Sequence, residues 1–361
     1  MATMRAFVLT GHGGSDKLEY RTDFPKPVPG AGEVLIRVSA CGLNNTDINT
    51  RTAWYSRGVS GATEDSAPPG AKTEDAAWGG RAIQFPRVQG ADVCGFVEEI
   101  GDGANRELLG KRVLIDTWLR DWNDPHNLEK TGYFGSECDG GFAEYVKIDA
   151  RQVHPIDSQM SDVELAAVAT AYSTAENMLN RAQVCAEDSV LISGASGGVG
   201  TALIQLAKRR GAKTIAMCGE DKHESVRAFG ADFVLPRSPE NLRARLQTQT
   251  GKESATVIAD VVGGEYWPNL IDALARGGRY VCSGAIAGAE VRFDLRVLYL
   301  RDLAFFGGTV VPPGLFATLV SYIEKGEIRP QIAAQYPLKE LHEAQRAFAA
   351  KKFVGNIVAV I

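Results

Sequence analysis

The stretch Ser193-Gly-Ala-Ser-Gly-Gly-Val-Gly200 constrains this chain more than any other. Before it runs a short apolar segment, Ser189 to Ser193, with the length and composition of a buried strand. After it, Val199, Ala202, Leu203, Leu206 and Ala207 recur at the spacing of one helical face. A strand that turns through small residues into a helix leaves unpaired N–H groups at the helix start, which favour a bound anion. The string reads as A-x-G-G-x-G, a dinucleotide-binding turn whose first glycine is replaced by Ala195. Gly197 is expected to admit a diphosphate to the backbone, and Gly200 to let the helix press against the strand. Ser196, Gly198 and Val199 complete the turn.

The helix closes on Lys208-Arg-Arg210 before Gly211, cationic last-turn chemistry followed by a left-handed cap. Strand-like runs then alternate with helical ones through Thr214–Cys218, Phe233–Leu235, Val257–Val262, Arg279–Ser283 and Leu303–Phe306, which implies a parallel, doubly wound α/β sheet. Residues before about 155 have another texture. Val34–Val38, Val93–Ile100 and Val113–Ile115 are short β-branched runs set between Gly and Pro turns, and predict a compact, mainly antiparallel β domain. The terminal run Asn356–Ile361 is assigned to that domain as a returning strand. The expected division is 1–157 with 307–361 for the β-rich domain and 158–306 for the doubly wound one, in keeping with 361 residues exceeding one core.

Composition narrows the partners. With 39 basic and 44 acidic residues the net charge is −5, which disfavours nucleic acid and anionic membrane surfaces. No run approaches the ~18 apolar residues of a membrane helix, and the first residues read as a strand and not as a signal peptide. The six cysteines form no C-x-x-C pair, so free thiols in a reducing cytoplasm are expected.

The residue about 20 positions beyond the turn indicates which dinucleotide is held, because a carboxylate there accepts from a ribose 2′-hydroxyl. At that distance from Gly197 stand Cys218 and Gly219, with no acid between them. Lys222 follows and suits a 2′-phosphate, although Glu220 and Asp221 adjoin it and a lysine there is equally ordinary surface charge. NADP(H) is therefore preferred over NAD(H).

Cys41-Gly-Leu-Asn-Asn-Thr-Asp47, the stretch Arg51 to Tyr55, Gln89-Gly-Ala-Asp92, Gly140-Gly-Phe-Ala-Glu-Tyr145, the Ala195–Gly200 turn and Gly277-Gly-Arg279 occur together in this order. In this combination the chain resembles the medium-chain dehydrogenases/reductases, and among them the zinc-independent quinone oxidoreductase branch. The resemblance implies a GroES-like catalytic domain, a Rossmann domain and an active site between them. Zinc-dependent members read Cys-Gly-x-Cys-His-Thr-Asp in the first motif, where this chain has Asn44 and Asn45 for the Cys-His pair. Their Gly-His-Glu is here Gly90-Ala91-Asp92, and their third ligand, a cysteine, aligns with Thr170. Their four-cysteine lobe aligns with Asp116–Asp139, which holds Cys138 alone. No metal is expected, since zinc takes three N/S ligands and an open position.

Without a Lewis acid, reduction of an already electrophilic acceptor is the chemistry expected: a quinone or an α,β-unsaturated carbonyl, by hydride transfer. Two alternatives stand beside it, an alcohol dehydrogenase with atypical ligands and a cofactor-binding protein without turnover. The resemblance places Asn44 at the substrate oxygen or nicotinamide ribose, Tyr55 as hydrogen-bond donor or pocket wall, and Asp47 as organiser of the loop, paired with Arg51. Each has a plain reading too: a turn-forming Asn44, a packed Tyr55. Thr174 is expected at the nicotinamide amide, or as an interior helix threonine. Further cofactor contacts are expected at Val262-Gly263, at Gly284-Ala285-Ile286 and at Thr309. Asn356 occupies the position of a family lysine, and its contact lacks that charge. A homodimer is expected through the sheet edge around Arg292 to Phe306. Residues 57–84 read as an active-site lid or a solvated insertion, and Trp118 to Tyr133 as pocket wall.

Overall fold

A computed structural model describes residues 2–59, 61–63, 74–77 and 82–361. Six parallel strands form one sheet in the spatial order Phe233–Pro236, Lys213–Cys218, Ser189–Ile192, Ala255–Asp260, Leu274–Cys282 and Ala304–Gly307. Helices cover both faces, so the central strands carry unbroken apolar runs: Val190, Leu191 and Ile192, and Val257, Ile258 and Ala259, are all buried. The chain leaves Ser189–Ile192 in one direction across the sheet and later returns to its other side at Ala255–Asp260. Between the carboxyl ends of these two strands the connections diverge, and a crevice opens.

The helix Gly198–Arg209 follows the Gly-rich turn. Ala202, Leu203, Leu206 and Ala207 are buried, as their spacing predicts, and Gly211 adopts a left-handed φ of +82° beyond the helix end. Val199 is only half-buried because it lies on the first turn, at the mouth of the crevice.

In the β-rich part, strand Glu33–Gly42 has three partners. Asp92–Ile100 runs antiparallel along its whole length; on the other edge Tyr145–Asp149 takes its first half and Asn356–Val360 its second. Ile332–Pro337 then adds parallel to Asn356–Val360. The end of the chain is thus woven into the sheet of its beginning, and the approach to its last strand touches the dinucleotide turn: the Gly355 N–H donates to the Ser196 carbonyl at 2.9 Å. Helix Ala169–Arg181 packs on Gly198–Arg209, where Gln205 donates to the Tyr172 hydroxyl at 2.8 Å and Arg210 pairs with the buried Glu176 at 2.7 Å.

Trp118–Leu119 and Gly132–Tyr133 pair as a small antiparallel ribbon. At the outer edge of the parallel sheet, by strand Ala304–Gly307, Val291, Leu295, Tyr299 and Leu300 are exposed. Among the described residues no helix is long and apolar enough to cross a membrane. The lid or insertion expected over 57–84 falls largely outside the described residues. Of those described, Thr63 is buried and its N–H donates to the Ile286 carbonyl at 3.1 Å.

Candidate active site

The crevice is shaped first by a carboxylate. Asp260 is fully buried at the end of its strand, where it accepts from the Ser193 hydroxyl, from the Tyr280 hydroxyl at 2.7 Å and from the Val262 N–H at 2.8 Å. Three adjacent strand ends are so tied together, and the segments Val261–Gly264 and Gly284–Gly288 emerge from them laced by Ala287 N–H to Val262 carbonyl at 2.9 Å. The expected contacts Val262, Gly263, Gly284, Ala285 and Ile286 lie on these two segments.

The turn fits a diphosphate. A Cβ on Gly200 would lie 2.4 Å from the Gly194 carbonyl oxygen, so only glycine lets the helix start this close to its strand. One on Gly197 would meet nothing nearer than 3.6 Å, which leaves the backbone open on that side. Ser196 through Val199 are partly exposed, whereas Ala195 and Gly200 on either side are buried. Asn356 is brought to the same place: a Cβ on Gly198 would stand 2.2 Å from its Oδ1.

The expected ribose end lies beyond strand Lys213–Cys218, and the structure adds neighbours there that sequence does not show. Lys222 is buried and its ammonium donates one N–H to the carbonyl of Lys351, which holds the side chain against that backbone. Two charged groups face Gly219: the Asp221 carboxylate, with Oδ1 2.6 Å from where a Gly219 side chain would begin, and Arg237, just beyond strand Phe233–Pro236, with Nη2 at 3.7 Å. Cys218 is buried at the strand end. Sequence distance hides Arg237, since nothing local marks it as a neighbour of the second strand.

Across the crevice, Asn44 caps helix Asn45–Arg51 and the Asp47 carboxylate accepts its N–H at 2.8 Å. A correction concerns Asp47. No ion pair joins it to Arg51, whose guanidinium donates instead to the Gly13 carbonyl at 2.8 Å. Asp47 is buried and bonded to the backbone N–H groups of Asn44 and Gly90, which makes it a positioning group with no access to a substrate. Tyr55 turns its hydroxyl to Thr46 and Asn49, and burial pushes it up to about 12, so the phenol keeps its proton.

Of the positions that align with the zinc ligands, Asn44 and Thr170 meet in space at Asp92, the neighbour of the third, Ala91, which brings no donor. Asp92 is buried and accepts from the Thr170 N–H at 2.7 Å, from the Thr170 hydroxyl and from the Asn44 side chain. Thr170 Oγ1 lies 2.7 Å from the Tyr133 hydroxyl. Because its one proton points to Asp92, Thr170 accepts from Tyr133 and a directed chain results, Tyr133 to Thr170 to Asp92. This donor set holds one carboxylate and neither thiolate nor imidazole, and its members are already bonded to one another. It does not fit zinc. Among the described residues no three His, Cys, Asp or Glu side chains converge. Thr174 sits one helical turn after Thr170 on the same face and is partly exposed. Thr309 is exposed beyond strand Ala304–Gly307, its carbonyl near Asn177. Sequence reasoning places Tyr133 only at the end of a pocket-wall stretch and misses its partner, because only the ribbon carries it to Thr170.

Burial holds Asp47 at about 7 and Asp92 at about 6, both above the usual carboxylate range. The folded chain therefore binds more protons than the unfolded one from about pH 4, the ordinary Asp value, up to these values, and stability declines as pH rises through that window. Asp47→Asn keeps an oxygen for the Asn44 N–H and deletes one titration. Urea unfolding at several pH values across the window should show a shallower decline for the variant; an unchanged slope would mean that Asp47 is already ionised at the low end.

Comparison with known proteins agrees with this geometry. Residues 30–158 match the alcohol dehydrogenase GroES-like domain family and residues 198–325 the family described as zinc-binding dehydrogenase. A provisionally named alcohol dehydrogenase from Sinorhizobium meliloti 1021 superposes with a TM-score of 0.90 at 41% identity, over 99% of this chain and 96% of that one. The quinone oxidoreductase of Rattus norvegicus is 27% identical over 94% of this chain and 92% of its own. The NAD-dependent alcohol dehydrogenase of Sulfurisphaera tokodaii is 26% identical over 99% and 100%. A buried Asp260 holding a dinucleotide crevice open against a GroES-like domain, together with these likenesses, places the chain in the medium-chain dehydrogenase/reductase superfamily, as an NAD(P)-dependent oxidoreductase.

Proposed function

We propose that the protein is an NADPH-dependent, zinc-independent reductase of quinones or α,β-unsaturated carbonyls. The observation that carries this reading is the closed cluster Asn44–Asp92–Thr170, in which the side chains at two aligned ligand positions, Asn44 and Thr170, both bond to Asp92, while Ala91 at the third offers no donor. When bound, the nicotinamide supplies the hydride. The chain supplies a dipole for the oxygen that gains charge: one N–H of the Asn44 amide goes to Asp92 and the other is left to donate, whereas the single Thr170 proton is held by Asp92. Tyr133 orients the Thr170 hydroxyl, and Asp47 holds the loop that presents Asn44.

The test is a cofactor-oxidation screen with NADPH and NADH against quinones, enones and aldehydes, with and without a chelator. Turnover of quinones or enones that survives chelation is expected. Alcohol-dependent reduction of NAD, lost on chelation, would instead support the second reading, an alcohol dehydrogenase, which the names of two relatives and the zinc-binding description of the matched family favour.

Support for NADP(H) lies in the absence of an acid at Cys218 and Gly219 themselves and in the guanidinium of Arg237, which stands by Gly219 together with the Asp221 carboxylate. Arg237→Ala is expected to weaken NADPH binding by about tenfold, the worth of one exposed charge-assisted contact, and to leave NADH nearly unchanged. Equal loss for both cofactors in a fluorescence titration would refute the assignment.

We also propose a homodimer through the edge strand Ala304–Gly307, because Val291, Leu295, Tyr299 and Leu300 crowd that edge in exposed positions. Light scattering at micromolar concentration should give twice the 38.8 kDa chain mass, and Leu295→Asp should return the monomer.

A further inference from the structure

We propose that a cavity behind the ribbon of Trp118–Leu119 and Gly132–Tyr133 is a binding site for a neutral, flat apolar molecule, which acts on the crevice by holding that ribbon in place. Its effect on turnover rests on the reductase reading, whereas its occupancy does not.

The cavity measures about 460 Å³, within the roughly 300–1,000 Å³ of sites that take small molecules. It lies in the β-rich part, and none of Asn44, Thr170, Thr174 or Thr309 lines it. Met4, Phe24, Pro27, Val88, Leu119 and Trp122 give it apolar sides. The charged side chains around it already have partners. Glu33 has Lys147 at 2.8 Å, Arg87 has Asp139 at 2.9 Å, Arg120 has Asp116 at 3.3 Å and Asp149 has Arg151. A charged ligand would have to break such a pair or enter uncompensated, and both are unfavourable away from water. A neutral ring system meets the apolar sides and gains by leaving water.

The same cavity holds the ribbon's fastenings. Trp118 and Tyr133 stand opposite in register, their ring centroids 5.1 Å apart, on one face. Leu119, next along the strand, points the other way, into the cavity. Glu137 lines the cavity too, and its carboxylate accepts the Tyr133 N–H at 2.7 Å. So does Gln152, which donates to the carbonyls of Asp116 at 3.0 Å and Trp118 at 3.2 Å. A molecule packed against Leu119, Glu137 and Gln152 therefore favours the ribbon position in which Tyr133 bonds Thr170. Thr170 in turn shares Asp92 with Asn44. Ligand and acceptor then favour one arrangement, which is positive coupling.

The experiment titrates the full chain with the neutral fluorescent probe N-phenyl-1-naphthylamine and with the anionic 1-anilinonaphthalene-8-sulfonate. The neutral probe should bind, and the sulfonate about tenfold more weakly. Phe24→Ala and Trp122→Ala each remove one side of the cavity and should weaken the neutral probe about tenfold, with turnover in the absence of probe unchanged in Phe24→Ala. Bound probe should slow amide hydrogen exchange across 118–137 and lower the KM for a quinone about fivefold at nearly constant kcat, and Phe24→Ala should lose both responses. Absence of probe binding, undiminished binding by both variants, a sulfonate that binds as tightly, or displacement of the probe by NADPH or quinone overturns the proposal. Exchange and KM that ignore bound probe overturn it as well. A chain that reduces no acceptor defeats the reductase reading, while titration and exchange still decide the cavity.

Discussion

Everything at the cofactor side of this protein hangs on one carboxylate out of water. Asp260 has no exposed surface, and such a group is tolerated only when donors surround it. Here they come from the neighbouring strands on either side, Ser193 and Tyr280, and from the backbone just ahead, Val262. The tie sets how the strand ends splay, and so where the crevice opens and in which direction the two loop segments leave the sheet. Removal of any single donor would leave a buried charge short of a partner, which costs more than an ordinary core contact.

The opposite wall obeys the same rule with a different result. Asp92 is also buried, and the residues around it are those that sequence comparison aligns with metal ligands. Their side chains close on the carboxylate and on Tyr133. A cluster of this kind can hold the Asn44 amide dipole toward an oxygen in the crevice, and a water-poor site makes such a dipole count for more than it would in solution. Asp47 belongs to the scaffold of that wall: buried, it holds the backbone that sets Asn44 in place.

Much of this is visible in the chain as written. The Gly-rich turn can be read because its requirements are local, a strand before it, a helix after it and glycine where atoms would collide. The doubly wound sheet follows from a change of period, and the missing ligands from motif positions. The ribose end could not be read this way. Lys222 is near in sequence and its ammonium is found on the Lys351 carbonyl, while Arg237 arrives from beyond the neighbouring strand to stand with Asp221 by Gly219. Asp47 and Arg51 likewise share one face of a helix by spacing, but the arginine finds the Gly13 carbonyl.

The sequence by itself determined the secondary structure around the turn, the parallel topology, and which residue types stand where family ligands would. These depend on near neighbours and on hydrophobic period, information that a linear chain carries. Only the tertiary structure decided which polar groups meet: Asn44, Asp92, Thr170 and Tyr133 come from four separate segments, and Gly355 reaches Ser196 from the last strand. A buried polar group accepts whichever partner the packing delivers, so its hydrogen bonds are settled by the geometry of the assembled sheets and not by distance along the chain.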